Sequence, residues 1–172
     1  MIAACQAKLK TALIAAGVPE LSIFTEAGKA TGHHGVPWAL LLTGPHKSES
    51  DGLVVAAFLN EAKTQKTTRR RTHRVSVQMM VALTATTEAA ANTLLEAVIA
   101  SVGLSWKDSA NDWIRVDRAL FGWLANHQRQ QGASVQERTA EVVAGFEFTG
   151  GLYQNQVSPA VPDIHLTTSV AP

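Results

Sequence analysis

The chain has 172 residues, 46% hydrophobic and 17% charged, enough apolar material to bury one core without disulfides or a metal. A single cysteine, Cys5, excludes an intramolecular disulfide framework, and no segment approaches the about 18 consecutive apolar residues of a membrane-spanning helix. Its 15 Lys and Arg against 14 Asp and Glu give a formal net charge of +1. That near-neutral total conceals a local imbalance, because six of the cations lie between Lys63 and Arg74 with only Glu61 nearby to oppose them.

Ile2 to Ala16 carries Ile2, Cys5, Leu9, Leu13 and Ala16 at helical spacing, with Lys8 and Lys10 off the stripe. Gly17 and Pro19 supply the stop. Cys5 on that stripe reads as a buried small hydrophobe and not as a nucleophile, since no activating histidine or second cysteine lies near it. The same segment lacks a basic start followed by an unbroken apolar run, so no secretory signal is expected and a cytoplasmic, soluble protein is the simplest expectation.

Leu21 to Thr25 is expected to form a short strand, and Glu26 to Gly35 a glycine-rich flexible loop around His33 and His34. Two apolar runs of strand length follow, Val36 to Thr43 and Gly52 to Leu59. The polar link Gly44 to Asp51 between them suggests a hairpin. From Asn60 the chain turns polar and basic before a clean alternation begins at Arg74, with Val75, Val77, Met79, Val81 and Leu83 on one face. A second hairpin with a long basic tip is the expectation for this stretch.

Thr86 or Thr87 can cap a helix whose apolar face is Leu94, Leu95, Val98, Ile99 and Val102, ended by Gly103. Trp113 to Arg118 alternates as a strand, Asn126 to Ser134 reads as a polar turn, and Val135 to Thr149 contains the last core strand. Beyond Gly150-Gly151 the prolines Pro159, Pro162 and Pro172 indicate an extended tail. The expected fold class is α+β: a single domain with a mainly antiparallel or mixed β-sheet and helices packed on one face.

No constellation of residues carries a recognisable chemistry. His33, His34 and His46 are the metal candidates, but no Cys, Asp or Glu stands at ligand spacing around them, so a solvated loop is the simpler reading. Ser105, Ser109, Ser134, His127 and Asp117 stand in no nucleophile signature, and there is no phosphate loop or dinucleotide fingerprint. Neither catalysis nor a cofactor is expected. Trp106, Trp113, Phe121 and Trp123 form either an interface patch or an aromatic wall of the core.

The basic segment is the strongest local signal. Lys63, Lys66, Arg69, Arg70, Arg71 and Arg74 suit docking on carboxylates or phosphates. A solvated hairpin tip is the simplest reading of it; as a docking arm, with no aromatic residue between Leu59 and Trp106, an acidic protein surface is favoured over nucleic acid.

The order of elements, with the strand-helix unit His73 to Val102 and the closing run Phe146-Glu-Phe-Thr-Gly-Gly-Leu-Tyr153, resembles the tail-terminator (tail-completion) proteins of tailed bacteriophages. The likeness covers residues 1 to 153 and leaves 154 to 172 as an extended carboxy-terminal tail. It implies a subunit that assembles as a homohexameric ring on a completed tail tube, at the head-proximal end of the virion tail. There it would stop tube growth and present the surface for the head-tail connector protein. Such a protein works through interfaces and carries no catalytic, cofactor-binding or metal residues. The tail tube protein is the partner expected for the basic segment. The alternatives are another head-tail joining protein, or a small nucleic-acid-binding module using residues 63 to 74.

Overall fold

The computed structural model describes residues 1–31, 33, 35–122 and 139–160. Helix α1 (Ile2–Ala15) buries Cys5, Leu9, Ala12 and Leu13, one stripe of an amphipathic helix. It closes with paired carbonyl contacts: Gly17 N donates to Ile14 O and Val18 N to Leu13 O, both at 3.0 Å. Gly17 takes the left-handed φ of 104° that this closure requires. Strand β1 (Ile23–Phe24) and the single-turn helix α2 (Ala27–Ala30) follow, so the segment expected to be loop contains one helical turn.

Two long strands come next, β2 (Trp38–Leu59) and β3 (Gln65–Ala85). Helix α3 (Glu88–Val102) starts at Thr87, whose Oγ1 accepts from Ala90 N at 3.1 Å, and buries Ala91, Leu95, Val98 and Val102. The chain ends in β4 (Ser105–Lys107), β5 (Trp113–Gly122) and β6 (Ala140–Pro159). The strands form one sheet in the order β1-β2-β3-β6-β5-β4. β1 runs parallel to β2, whereas β4, β5 and β6 pair antiparallel. The class is α+β, with a mixed sheet and helices packed on one face, as the patterning predicts.

The described residues group into two compact units. The first, Met1–Ser48 with Val75–Gly151, holds the hydrophobic core. Val77, Met79, Val81 and Leu83 of β3 and Val142, Ala144, Phe146 and Phe148 of β6 meet Leu9 and Leu13 of α1 and Leu95, Val98 and Val102 of α3. Alternate positions are buried in β6 and in β3 from Val77 to Val81, the signature of a sheet covered on one face, while β3 is buried at every position from Val81 to Ala85. Trp106 joins this core through an edge-to-face contact with Phe148, ring centroids 5.4 Å apart. Trp113 is more than half exposed, so these two tryptophans take different roles. Trp123 and the side chain of Phe121 lie outside the described residues. Burial pushes the Cys5 thiol up to about 11, which removes it from nucleophilic chemistry at neutral pH.

The second unit is Glu49–Arg74 with Leu152 onward, and here two expectations are corrected. Gly44 to Asp51 is no hairpin: β2 continues through Gly44, Pro45 and Gly52 as one strand. The second hairpin forms, but its tip is short and not the long basic one expected, because β3 begins at Gln65 and the reversal is confined to residues 60–64. Asn60 holds this reversal. Its Oδ1 accepts from Thr64 N at 2.8 Å and Gln65 N at 3.0 Å, and its Nδ2 donates to Thr64 Oγ1 at 3.0 Å. Lys63 sits at φ 55° inside the turn. β6 also runs past the expected strand end at Thr149, to Pro159.

Candidate protein-docking ribbon

The second unit is a three-stranded ribbon built from the outer parts of β2, β3 and β6. β3 and β6 run antiparallel there: Ala160 N donates to Thr64 O at 2.8 Å, Ser158 Oγ to Lys66 O at 3.4 Å, and Thr72 Oγ1 to Leu152 O at 3.1 Å. β1 pairs with β2 only at Ala39 and Leu40, and β5 pairs with β6 only between residues 143 and 149. Among the described residues, both long edges of the ribbon therefore present unpaired backbone donors and acceptors.

The six cations expected to form an interface are all on this ribbon, but they are not equivalent. Lys63 stands in the turn and Lys66 near the start of β3, both exposed. Arg69 lays its guanidinium over the Tyr153 ring, 4.9 Å from the centroid, a cation–π contact that holds the side chain across to β6. Arg71 directs both Nε and Nη2 to Asp51 Oδ2 of β2. That fork is satisfied within the chain and is about a quarter exposed, as is its partner. Arg70 and Arg74 are exposed.

The apolar residues of the ribbon are the feature that patterning missed. Leu53, Val54, Val55, Phe58 and Leu59 lie between 42% and 55% exposed, and Ala56 and Ala57 between them are exposed as well. Neighbours in a strand point to opposite faces, so the run is uncovered on both. Leu152 and Val157 of β6 add to it, at 51% and 59%. Read as sequence, a continuous apolar run indicates a strand buried on both faces. Among the described residues it is buried on neither, and such a surface marks an interaction site.

Of the metal candidates, His33 and His46 stand on separate segments. His33 packs its ring edge-on against Phe24, centroids 5.1 Å apart. His46 is on an exposed part of β2, and His34 lies outside the described residues. No cluster of three or more potential ligands occurs among the described residues. Of the residues considered for catalysis, Ser134 and His127 also fall outside them, as does the turn expected at Asn126 to Ser134. No helix among the described residues is long and apolar enough to cross a membrane. No family model matches this sequence, and no curated protein shows significant similarity to it.

Proposed function

We propose that the protein is a structural subunit of a tailed-phage virion: it caps the completed tail tube as a ring of six copies, ends tube polymerisation, and offers the surface for head attachment. The observation that carries this reading is the apolar run Leu53–Leu59, exposed on both faces of an open-edged ribbon. A strand of this composition with free edges is an aggregation hazard unless another protein covers it. An assembly subunit has that cover, and the ribbon supplies both parts of a docking surface. Burial of the apolar side chains provides most of the affinity, while the cations of β3 orient the encounter with acidic groups on the last ring of tube protein.

Support also comes from the order of elements, which resembles that of tail terminators: the strand-helix unit expected at His73 to Val102 is β3 followed by α3. A protein partner is favoured over nucleic acid on two grounds. Arg71 is neutralised by Asp51 inside the chain, and the β6 part of the ribbon, residues 152–159, has no charged residue at all, whereas nucleic-acid grooves line the backbone path with cations.

Light scattering tests the assembly. A ring corresponds to six times 18.3 kDa, and electron microscopy should show closed particles of sixfold symmetry. Mixed with tubes polymerised from the cognate tube subunit, the protein should sit at tube ends and arrest elongation. A protein that stays monomeric over its whole soluble range and leaves tube growth unchanged overturns the proposal.

A further inference from the structure

One face of the ribbon contains a polar cleft of about 540 Å³, within the range that accommodates a side chain or small ligand. β2 lines it with Ser50 and Gly52 and β3 with Arg70, Thr72 and His73. From β6 comes the Gln-Asn-Gln run at 154–156. Among the described residues, no acidic one contributes to the lining.

The intervening residues Asp51 and Arg71 do not line the cleft. They pair with each other, which makes an internal comparison possible. Arg71 finds a carboxylate opposite it on β2. Arg70 shares its cleft with Ser50 and Gly52, which offer no charge, and it has no ion-pair partner among the described residues. Gly52 also leaves space: it takes φ 65°, and a Cβ built there would meet nothing within 4 Å. Thr72 Oγ1 is committed to Leu152 O and lies 3.2 Å from His73 Nδ1, so the wall beside Arg70 is held in place by its own hydrogen bonds.

We propose that this cleft is a carboxylate receptor. It takes an aspartate or glutamate side chain from an acidic protein partner, which supplies to Arg70 what Asp51 supplies to Arg71. The guanidinium grips the carboxylate through its planar fork, and the carboxamides of Gln154 and Gln156, which share a face of β6, add neutral N–H donors. Among the described residues the cleft holds a single permanent charge, Arg70, which suits one carboxylate better than a phosphodiester chain, whose binding grows with the number of cations along its path. The inference rests on the reading of the ribbon as a protein-docking element and assigns its specificity to one arginine of the six.

The test uses the full chain and a fluorescein-labelled hexaglutamate peptide, followed by fluorescence anisotropy at low ionic strength. Saturable binding is expected, with none for hexaglutamine. Arg70→Gln should weaken it about tenfold or more, whereas Lys66→Gln should change it less than about twofold. Ser50→Asp provides a second route. It places a carboxylate beside Arg70 in cis and should block the peptide with every cation retained, its circular dichroism matching the parent.

Hexaglutamate that does not bind, or binds Arg70→Gln and Ser50→Asp as tightly as the parent, overturns the assignment. So does a short oligothymidylate that binds more tightly than the peptide and loses that binding in Arg70→Gln, because the ligand is then a phosphate. The tail-capping role is read separately. If the peptide results hold and Arg70→Gln still arrests tube growth, the carboxylate receptor stands and its part in tube recognition falls.

Discussion

Strand β3 begins in one kind of surroundings and ends in another. Between Val75 and Leu83, every second residue from Val77 onward is at most 2% exposed against α1, α3 and β6. Between Gln65 and Arg74 no residue is buried, and the neighbouring stretch of β2 leaves an apolar run uncovered on both faces. Hydrophobicity alone does not separate the two regions; its distribution along the strand does. A period of two describes a sheet that the chain itself covers, and a continuous apolar run without internal cover describes a sheet completed by another molecule. Stability should therefore reside in the first region and association in the second.

The sharpest way to break that division is to cut into the core. Phe148 is fully buried between Trp106 and Phe146, and Phe148→Ala should cost about 3–5 kcal/mol of unfolding free energy. Urea denaturation followed by circular dichroism reads it; a loss below about 1 kcal/mol would mean that the core lies elsewhere.

Cys5 gives a smaller, pH-dependent effect. Its thiol has a folded-state pKa of about 11 against an ordinary 9.0, so the unfolded chain releases the proton first. The stability linked to this group is complete below pH 9 and is lost as pH rises from 9 to 11, on the order of 3 kcal/mol in total. Cys5→Ala should lack this component, visible as a flatter profile of unfolding free energy against alkaline pH.

Removal of the ribbon's internal ion pair should act locally. Asp51→Asn is expected to cost no more than about 1 kcal/mol, the range for a partly exposed pair, and to accelerate amide hydrogen exchange in residues 65–74 while the amides of α3 keep their protection. Equal acceleration in both would merge the two regions into one cooperative unit. The smallest effect on stability belongs to Phe58→Ser, within about 0.5 kcal/mol. The same variant should lose the ring mass in light scattering, so a fully assembled Phe58→Ser would remove the apolar run from the interface.

The sequence makes the core legible because each of its signals is redundant. Gly17 after Leu13 ends α1, Thr87 begins α3, and Val75, Val77, Met79, Val81 and Leu83 recur at every second position. The ribbon was misread for a physical reason. Gly44-Pro45 and the polar residues up to Asp51 resemble a turn, because a strand is normally recognised by the side chains it buries, and this part of β2 buries none. Proline is compatible with an edge strand, where one side of the backbone needs no partner. The cations at 69–71 looked like a solvated tip because their partners, Tyr153 and Asp51, are 84 and 20 positions away in sequence. The Arg70 cleft joins three strand segments and left no local motif to find.

The free edges of the ribbon have a geometric consequence. β2 and β6 both run antiparallel to β3, so the outermost strands point the same way and the two edges are different surfaces. Were β2 of one copy to add alongside β6 of another, the contact would be head-to-tail, and each added copy would again expose one edge of each kind. Such a contact never satisfies itself in a pair. Its end state is set by the rotation between successive copies: a rotation that divides the full circle closes a ring, and any other rotation winds the same contact into an open fibre.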